Sequence, residues 1–399
     1  MDNLFANIKV ETVALVVLLL GFLTTFILIP KLIGISRYKN LMDHPDERSS
    51  HDEKTPTLGG VAFYISLIFG LFTIHFFDFN GSSFNVLVGI SILFFVGLKD
   101  DLMVLSAQTK LGAEIIAASF VLAMPDLWLT NFNGFLGIGH IPVFVGILLS
   151  YFIIIFVINA YNLIDGIDGL AGSLGIKAFV IFATFFYFSN NFFYFLLSIL
   201  SIGFLIAFLR FNLSKKNKIF MGDTGSLIIG FLIAIMIIRF IAMSVSELDL
   251  IRINPTNKFI IATSILFFPF MDVFRVVIMR LLNRRGPFDP DRSHMHHILV
   301  DKSLKHTKAS LTMSICSFII FCIIYFLNAK LSALGLSLVF LFLTMITFSV
   351  LIVLDSDKHA SLYRKKFKAI FPRPIQVIEF RIRKRIIIVM KKIFYKDLL

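Results

Sequence analysis

Five short stretches hold most of the unusual polar residues: DEKTPTLGG at 52–60, GLKDDL at 97–102, NAYNLIDGIDGLAG at 159–172, IFMGDTGSL at 219–227 and GPFDPDRSHMHHIL at 286–299. In the third, Asn159, Asn162, Asp165 and Asp168 recur at intervals of three, directly behind the apolar run 152–158. Residues three apart on a helix lie on neighbouring faces. Asn159 and Asn162 are therefore expected to point into one cleft, with Gly166 and Gly169 loosening the helix and leaving Asp165 and Asp168 at its mouth. Plain loop residues would not need the asparagine pair behind them. Oxygen donors of this kind suit Mg²⁺ rather than a soft metal.

The other stretches have both a bland and a chemical reading. Asp100 and Asp101 could simply end an apolar helix, but adjacent carboxylates repel and favour a nearby cation. Asp223, Thr224 or Ser226 could cap the helix that begins there. Capping does not explain Gly222 and Gly225 around them, which would let a large ligand approach the backbone. A helix N-terminus also favours phosphate. His294, His296 and His297 have no thiol partner for zinc. Beside Arg284, Arg285 and Arg292 they are better suited to phosphate oxygens. Phe220 is an ordinary core residue by type, raised only by its place next to Asp223. Carboxylates and amides for Mg²⁺, an Arg/His/Lys group and glycine turns at helix ends make the equipment of phosphoryl transfer, where catalysis is mostly positioning and charge neutralisation.

The elements that must position these residues are apolar. The 399 residues are 57% hydrophobic and 16% charged, with 48 Phe and a mean hydropathy of +0.88, far from the composition of a soluble domain. Long apolar runs near the ~20 residues that span a bilayer recur throughout. They predict an all-α polytopic integral membrane protein with about 11 transmembrane helices, near 11–33, 59–77, 83–98, 110–124, 142–159, 168–187, 191–210, 225–243, 258–281, 308–328 and 332–354. The first lacks the basic flank of a cleavable signal peptide. The loops after alternate spans, together with the tail, carry 30 of the 38 Lys and Arg residues. That asymmetry puts the N-terminus outside and the C-terminus in the cytoplasm.

All five polar stretches then fall on the cytoplasmic side, in loops 31–58, 99–110, 159–168, 211–224 and 282–307 of a membrane domain spanning 1–354. The basic tail 355–399 is expected to lie on anionic lipid. The net charge of +13 is membrane-surface charge and not a nucleic-acid footprint. Cys316 and Cys322, six apart in one span, indicate neither a disulfide nor a metal site. A site at this depth suits one water-soluble phosphorylated substrate and one lipid-borne phosphate.

The order and wording of the five motifs resemble the polyprenyl-phosphate N-acetylhexosamine-1-phosphate transferases. These bacterial inner-membrane enzymes move a sugar-1-phosphate from a UDP-sugar to undecaprenyl phosphate and release UMP. The stretch PDRSHMHH resembles the GlcNAc-1-phosphate branch, which begins O-antigen and other cell-surface polysaccharides, although Met295 stands where that branch usually has Ile. The resemblance implies Mg²⁺ (or Mn²⁺ in its place), UDP-N-acetylhexosamine, undecaprenyl phosphate and membrane lipids as partners, with a homodimer as one arrangement. It makes Asp223 a Mg²⁺ ligand helped by Asn162. It places Asp100 and Asp101 near the lipid phosphate, one as its base, and the catalytic His296 and His297 at the diphosphate with Lys54, Arg292 and His294. Asp165 and Asp168, with Asn159 beside them, help to place the nucleotide, and Phe220 stacks on uracil. The phospho-MurNAc-pentapeptide branch is the nearest alternative. A secondary transporter, which would gather polar groups at mid-membrane, is the alternative from another class.

Overall fold

The computed structural model describes residues 9–43, 54–76, 81–282, 295, 298–299 and 305–354. Helices fill the long apolar segments of the described residues: α1 (Val10–Lys39), α2 (Gly59–His75), α3 (Ser82–Leu102), α4 (Ala107–Val121), α5 (Val143–Ile164), α6 (Leu170–Phe188), α7 (Phe192–Asn212) and α8 (Gly222–Ala242). After the short α9 (Val245–Leu250) come α10 (Lys258–Ile265), α11 (Phe267–Leu282), α12 (His306–Asn328) and α13 (Ala333–Leu354). Among the described residues eight helices are long and apolar enough to cross a membrane, nine if α10 and α11 form one broken span. α2, at 17 residues, and α4, at 15, fall short of that length. A two-residue antiparallel ladder, β1 (Met42–Asp43) with β2 (Thr55–Pro56), is the only sheet among these residues.

The single helix expected over 258–281 is instead bent by 75° between α10 and α11. Pro269 has no N–H to give to the carbonyl four residues back, which is that of Ile265. That carbonyl is taken by the Lys177 ammonium of α6 at 2.6 Å, and Lys177 also donates to Ser317 at 2.5 Å. A cation on the C-terminal end of a half-helix is doubly placed, as hydrogen-bond donor and as dipole partner.

α8 is the axis of the bundle. Every residue from Thr224 to Ile241 is buried, against α2, α3, α5, α6 and α10. A helix apolar all round must be enclosed by others or by lipid. α13 shows the second case, exposing Leu334, Leu338, Leu341, Phe342, Met345 and Ile346.

The N-terminal end of α8 meets α2 and α3 backbone to backbone. A Cβ on Gly60 would sit 2.3 Å from the Gly225 nitrogen, and one on Gly97 would sit 2.5 Å from the Thr224 Cα. Gly222 has φ +69°, and a Cβ there would strike the Thr57 carbonyl at 2.4 Å. What approaches the glycines of GDTG in this structure is the protein's own chain. The segment before α2 runs beside them: Phe220 N–H donates to the Pro56 carbonyl, and Gly59 N–H donates to the Phe220 carbonyl.

Candidate active site

The C-terminal ends of α3 and α5, the N-terminal ends of α4 and α8, and the turn 165–169 meet at one end of the bundle. Asp223 is at the centre. Its Oδ2 accepts from the Lys110 ammonium at 2.6 Å, and its Oδ1 accepts from the Asn162 amide at 3.1 Å. Lys110 also pairs with Asp100 at 2.5 Å. The chain turns sharply after α3, and Asp100 holds that turn by accepting the Leu105 N–H at 2.7 Å. The cation that the carboxylate pair calls for is therefore Lys110, ten residues on in the sequence.

The two aspartates of KDDL have separate tasks. Asp101 accepts the N–H of Asp223 at 2.7 Å, the N–H of Thr224 at 3.1 Å and the Thr224 hydroxyl at 2.6 Å. These are orphan donors of the first turn of α8. α8 has no side-chain cap from its own preceding residue, Met221. The cap comes from another helix, so the Asp223 carboxylate is left for other partners.

Asn159 and Asn162 lie on one flank of α5 and meet different helices. Asn162 donates to Asp223 and, at 2.7 Å, to Ser226 of α8, while Asn159 donates at 2.6 Å to Glu114 of α4. Glu114 is buried one turn beyond Lys110. Its isolation in an apolar helix was a signal that sequence reading passed over.

The 165–169 turn carries two unlike carboxylates. Asp168 accepts from Lys218 at 2.7 Å and from His306 at 3.2 Å. Burial opposes its ionisation, but the His306 hydrogen bond and the Lys218 ammonium outweigh it and hold the carboxyl below the usual range. Its backbone carbonyl accepts from Ser310, and Asn212 clamps the turn by accepting from Gly169 N–H and donating to the Ile219 carbonyl. The Asp165 carboxylate has no hydrogen-bond or ion-pair partner among the described residues, while its backbone N–H donates to the Asn162 carbonyl. Removal from water, and the nearby charges of Asp223, Asp101 and Asp168, push its carboxyl up to about 8. A partnerless carboxylate among like charges is a place for a cation or a donor from a ligand.

Phe220 is half-buried beside Asp223, with the Lys218 ammonium 5.0 Å from its ring centre. Lys54 is exposed just before β2, whose Pro56 carbonyl accepts the Phe220 N–H, and it has no partner among the described residues. Arg292, His294, His296 and His297 lie outside the described residues, as does the tail 355–399. Met295, between the histidines, is described and fully buried. An apolar residue stands inside that motif because it is the one turned into the core.

Among the described residues no three Asp, Glu, His or Cys side chains converge as a full ligand set. Mg²⁺ does not need one, since it keeps several waters and takes one or two carboxylates together with substrate phosphates. The side-chain oxygens of Asp223 and Asn162, neighbours in the structure, match that requirement. The Lys110 ammonium between Asp100 and Asp223 shows that positive charge is favoured there.

The profile of glycosyl transferase family 4 matches residues 83–241, from α3 to α8. A Bacillus subtilis protein named probable undecaprenyl-phosphate N-acetylglucosaminyl 1-phosphate transferase is 30% identical over 308 residues, covering 76% of this chain and 82% of the relative. The chain belongs to glycosyl transferase family 4. Two further relatives are similar over most of their length. The decaprenyl-phosphate N-acetylglucosaminephosphotransferase of Mycobacterium leprae is 28% identical, covering 77% of this chain and 81% of its own. The undecaprenyl-phosphate alpha-N-acetylglucosaminyl 1-phosphate transferase of Escherichia coli K12 is 26% identical, covering 67% and 71%. The matched family 4 region contains Asp100, Asp101, Lys110, Asn159, Asn162, Asp165, Asp168, Phe220 and Asp223, and leaves Lys54 and the histidine motif outside it.

Proposed function

We propose that this family 4 protein transfers GlcNAc-1-phosphate from UDP-GlcNAc to undecaprenyl phosphate at the cytoplasmic face of the bacterial inner membrane, releasing UMP. The observation that carries the reading is the Asp223 centre: a carboxylate at a helix N-terminus, capped from outside, with Lys110, Asn162 and the partnerless Asp165 around it. The names of the relatives supply the acceptor and the sugar. The chain would cross the membrane eleven times, with α2 and α4 as short crossings and α10–α11 as one broken crossing. The Lys/Arg asymmetry supports the orientation.

A phosphate oxygen of the lipid attacks the β-phosphorus of UDP-GlcNAc. A new P–O bond joins the two phosphates, the bond to the bridging oxygen breaks, and UMP leaves with that oxygen. Mg²⁺, held by Asp223 with Asn162 beside it, would supply Lewis-acid stabilisation of the diphosphate and its leaving group. Lys110 offsets the charge of Asp100 and Asp223 and, partly exposed, offers a cation to the acceptor phosphate. Phe220 offers a face to uracil, and Lys54 with Arg292, His294, His296 and His297 meets the diphosphate. Asp165 presents its free carboxyl to the nucleotide sugar, and Asp168 holds the turn from which it projects.

Direct displacement is favoured over a covalent aspartyl intermediate. Asp100 is held by Lys110 and the Leu105 N–H, and Asp101 by three donors of α8. Neither is free to act as a nucleophile, and the lipid phosphate monoester already is one. The test is release of UMP by purified protein given Mg²⁺, undecaprenyl phosphate and UDP-GlcNAc. Absence of UMP from that mixture and from a panel of other UDP-N-acetylhexosamines would overturn the reading.

A further inference from the structure

Glu114 has no part in the reaction above, yet it is a carboxylate 1% exposed on α4, one helical turn from Lys110. The rest of the buried face of α4 is Ala113, Ala117, Ala118 and Val121. Its larger apolar residues, Leu111, Ile115, Ile116 and Phe120, point outward. Helices fix one another by ridges of side chains set into grooves, and a face of alanines offers only shallow ridges. α4 lies against α3 and α5, so packing alone holds its slide along α5 weakly. The Oε2 of Glu114 accepts the Asn159 amide of α5 at 2.6 Å. A charged acceptor makes such a bond short and strong. Fixing register is the best-attested use of a buried polar group.

The bond lies where register matters. Lys110 and Glu114, four apart, share one face of α4, and Asn159 and Asn162, three apart, share one flank of α5. Lys110 donates to Asp223 Oδ2 and pairs with Asp100, while Asn162 donates to Asp223 Oδ1. Glu114–Asn159 is thus the rung behind the one that closes on Asp223 from both sides. The start of α4 is held where the Leu105 N–H meets Asp100. A helix fixed at one point can still swing, and a second point settles it. Sliding by one residue moves α4 about 1.5 Å along its axis, enough to break both contacts of the Lys110 ammonium.

We propose that Glu114 is a positioning residue for Lys110. By holding Asn159 it sets the register of α4 on α5, and so keeps the ammonium between Asp100 and Asp223. That Lys110 serves the acceptor phosphate rests on the UDP-sugar reading; its placement between the two carboxylates does not.

Two variants of the full-length protein separate reach from charge. Glu114→Gln keeps an acceptor oxygen at the same reach and loses the charge. Glu114→Asp keeps the charge and draws the oxygen back by one methylene. The first readout needs no substrate: acylation of Lys110 by an amine-reactive reagent, followed residue by residue in peptide mass spectra. The rate should stay within about twofold of wild type in the glutamine variant and rise at least about fivefold in the aspartate variant, where the ammonium loses its charged partners. The second readout is kinetic. The kcat/KM for undecaprenyl phosphate should fall about ten- to a hundredfold in the aspartate variant and less than about threefold in the glutamine variant, with the KM for UDP-GlcNAc unchanged in both. Tyr151→Phe is the control. Its hydroxyl donates at 2.9 Å to Ser119, the other polar link between α5 and α4, farther from the site; its loss should move neither readout. Wild-type acylation in Glu114→Asp, equal change in both variants, a larger change in Glu114→Gln, or a Tyr151→Phe protein that matches Glu114→Asp would each overturn the proposal. If the aspartate variant does not assemble, the glutamine variant decides, since faster acylation of Lys110 there would mean that Glu114 supplies charge and not reach. Wild-type protein that releases no UMP would refute the UDP-sugar reading alone, and the acylation assay would still judge Glu114.

Discussion

Asp101→Asn separates two roles that a neighbouring aspartate can have. In the structure Asp101 holds the first turn of α8 through one bond on Oδ1 and two on Oδ2. An amide of the same shape keeps one acceptor oxygen and turns an NH₂ toward donors. At best the oxygen stays with Thr224, and the Asp223 N–H is left facing another donor. Leaving one buried N–H unmet costs about 1–3 kcal/mol, and the loss of charge weakens the remaining bonds by about 1 kcal/mol. The variant should therefore lose roughly 2–4 kcal/mol of stability, seen as a lower melting temperature in detergent. Asp223 starts at that same turn, so UMP release should also fall, by about a hundredfold if its carboxylate shifts by an ångström. Thr224→Val removes one of the same bonds and should be less than additive with Asp101→Asn in melting temperature. A Asp101→Asn protein that melts like wild type and loses only turnover would refute the capping argument and return Asp101 to the substrate.

Asp223→Asn should leave the protein folded and reduce turnover to below about a tenth, since a lost charged ligand costs several kcal/mol and each 1.36 kcal/mol is about tenfold; UMP release and size-exclusion profiles together check this. In protein lacking Cys316 and Cys322, a cysteine at Ile138 should react with a membrane-impermeant thiol reagent on intact cells, and one at Pro290 only after permeabilisation; the reverse pattern would invert the topology. Asp165→Asn should raise the melting temperature in EDTA while impairing turnover. The sign follows from its carboxyl, pushed up to about 8. The unfolded chain releases this proton near the ordinary aspartate value, and the folded protein does so only around 8. The stabilisation of Asp165→Asn over wild type should therefore grow from about pH 4 to pH 8 and stay flat above. A difference independent of pH would show that Asp165 is not the strained carboxyl.

The helices were legible because lipid leaves the backbone no other choice, and hydropathy alone located each segment. The bend at 265–267 was less so, although Pro269 gave the signal, because a proline can also sit in an unbroken helix, as Pro30 does in α1. Asp223, Asn162 and Asp165 stood out by type and spacing. Lys110, Glu114 and the cap by Asp101 did not, because each depends on a partner in another helix. The glycines of GDTG and LGG were visible as a need for close approach; that the approaching group is another helix could only come from packing.

The burial of α8 has a consequence for how the molecule is made. Chains enter the membrane N-terminus first, and α8 is the eighth helix to arrive. Until it does, α2, α3 and α5 have no common surface to close upon, and Asp101 has no helix to cap. A nascent chain that ends before Gly222 would hold its helices in lipid with their inward faces unmatched, a ready target for quality-control proteolysis. Asp100, Asp101, Asp165 and Asp168 would already be made, but Asp223, the centre of the candidate site, would not. In this protein the arrival of α8 fills the axis of the bundle and brings Asp223 to the candidate site in one step.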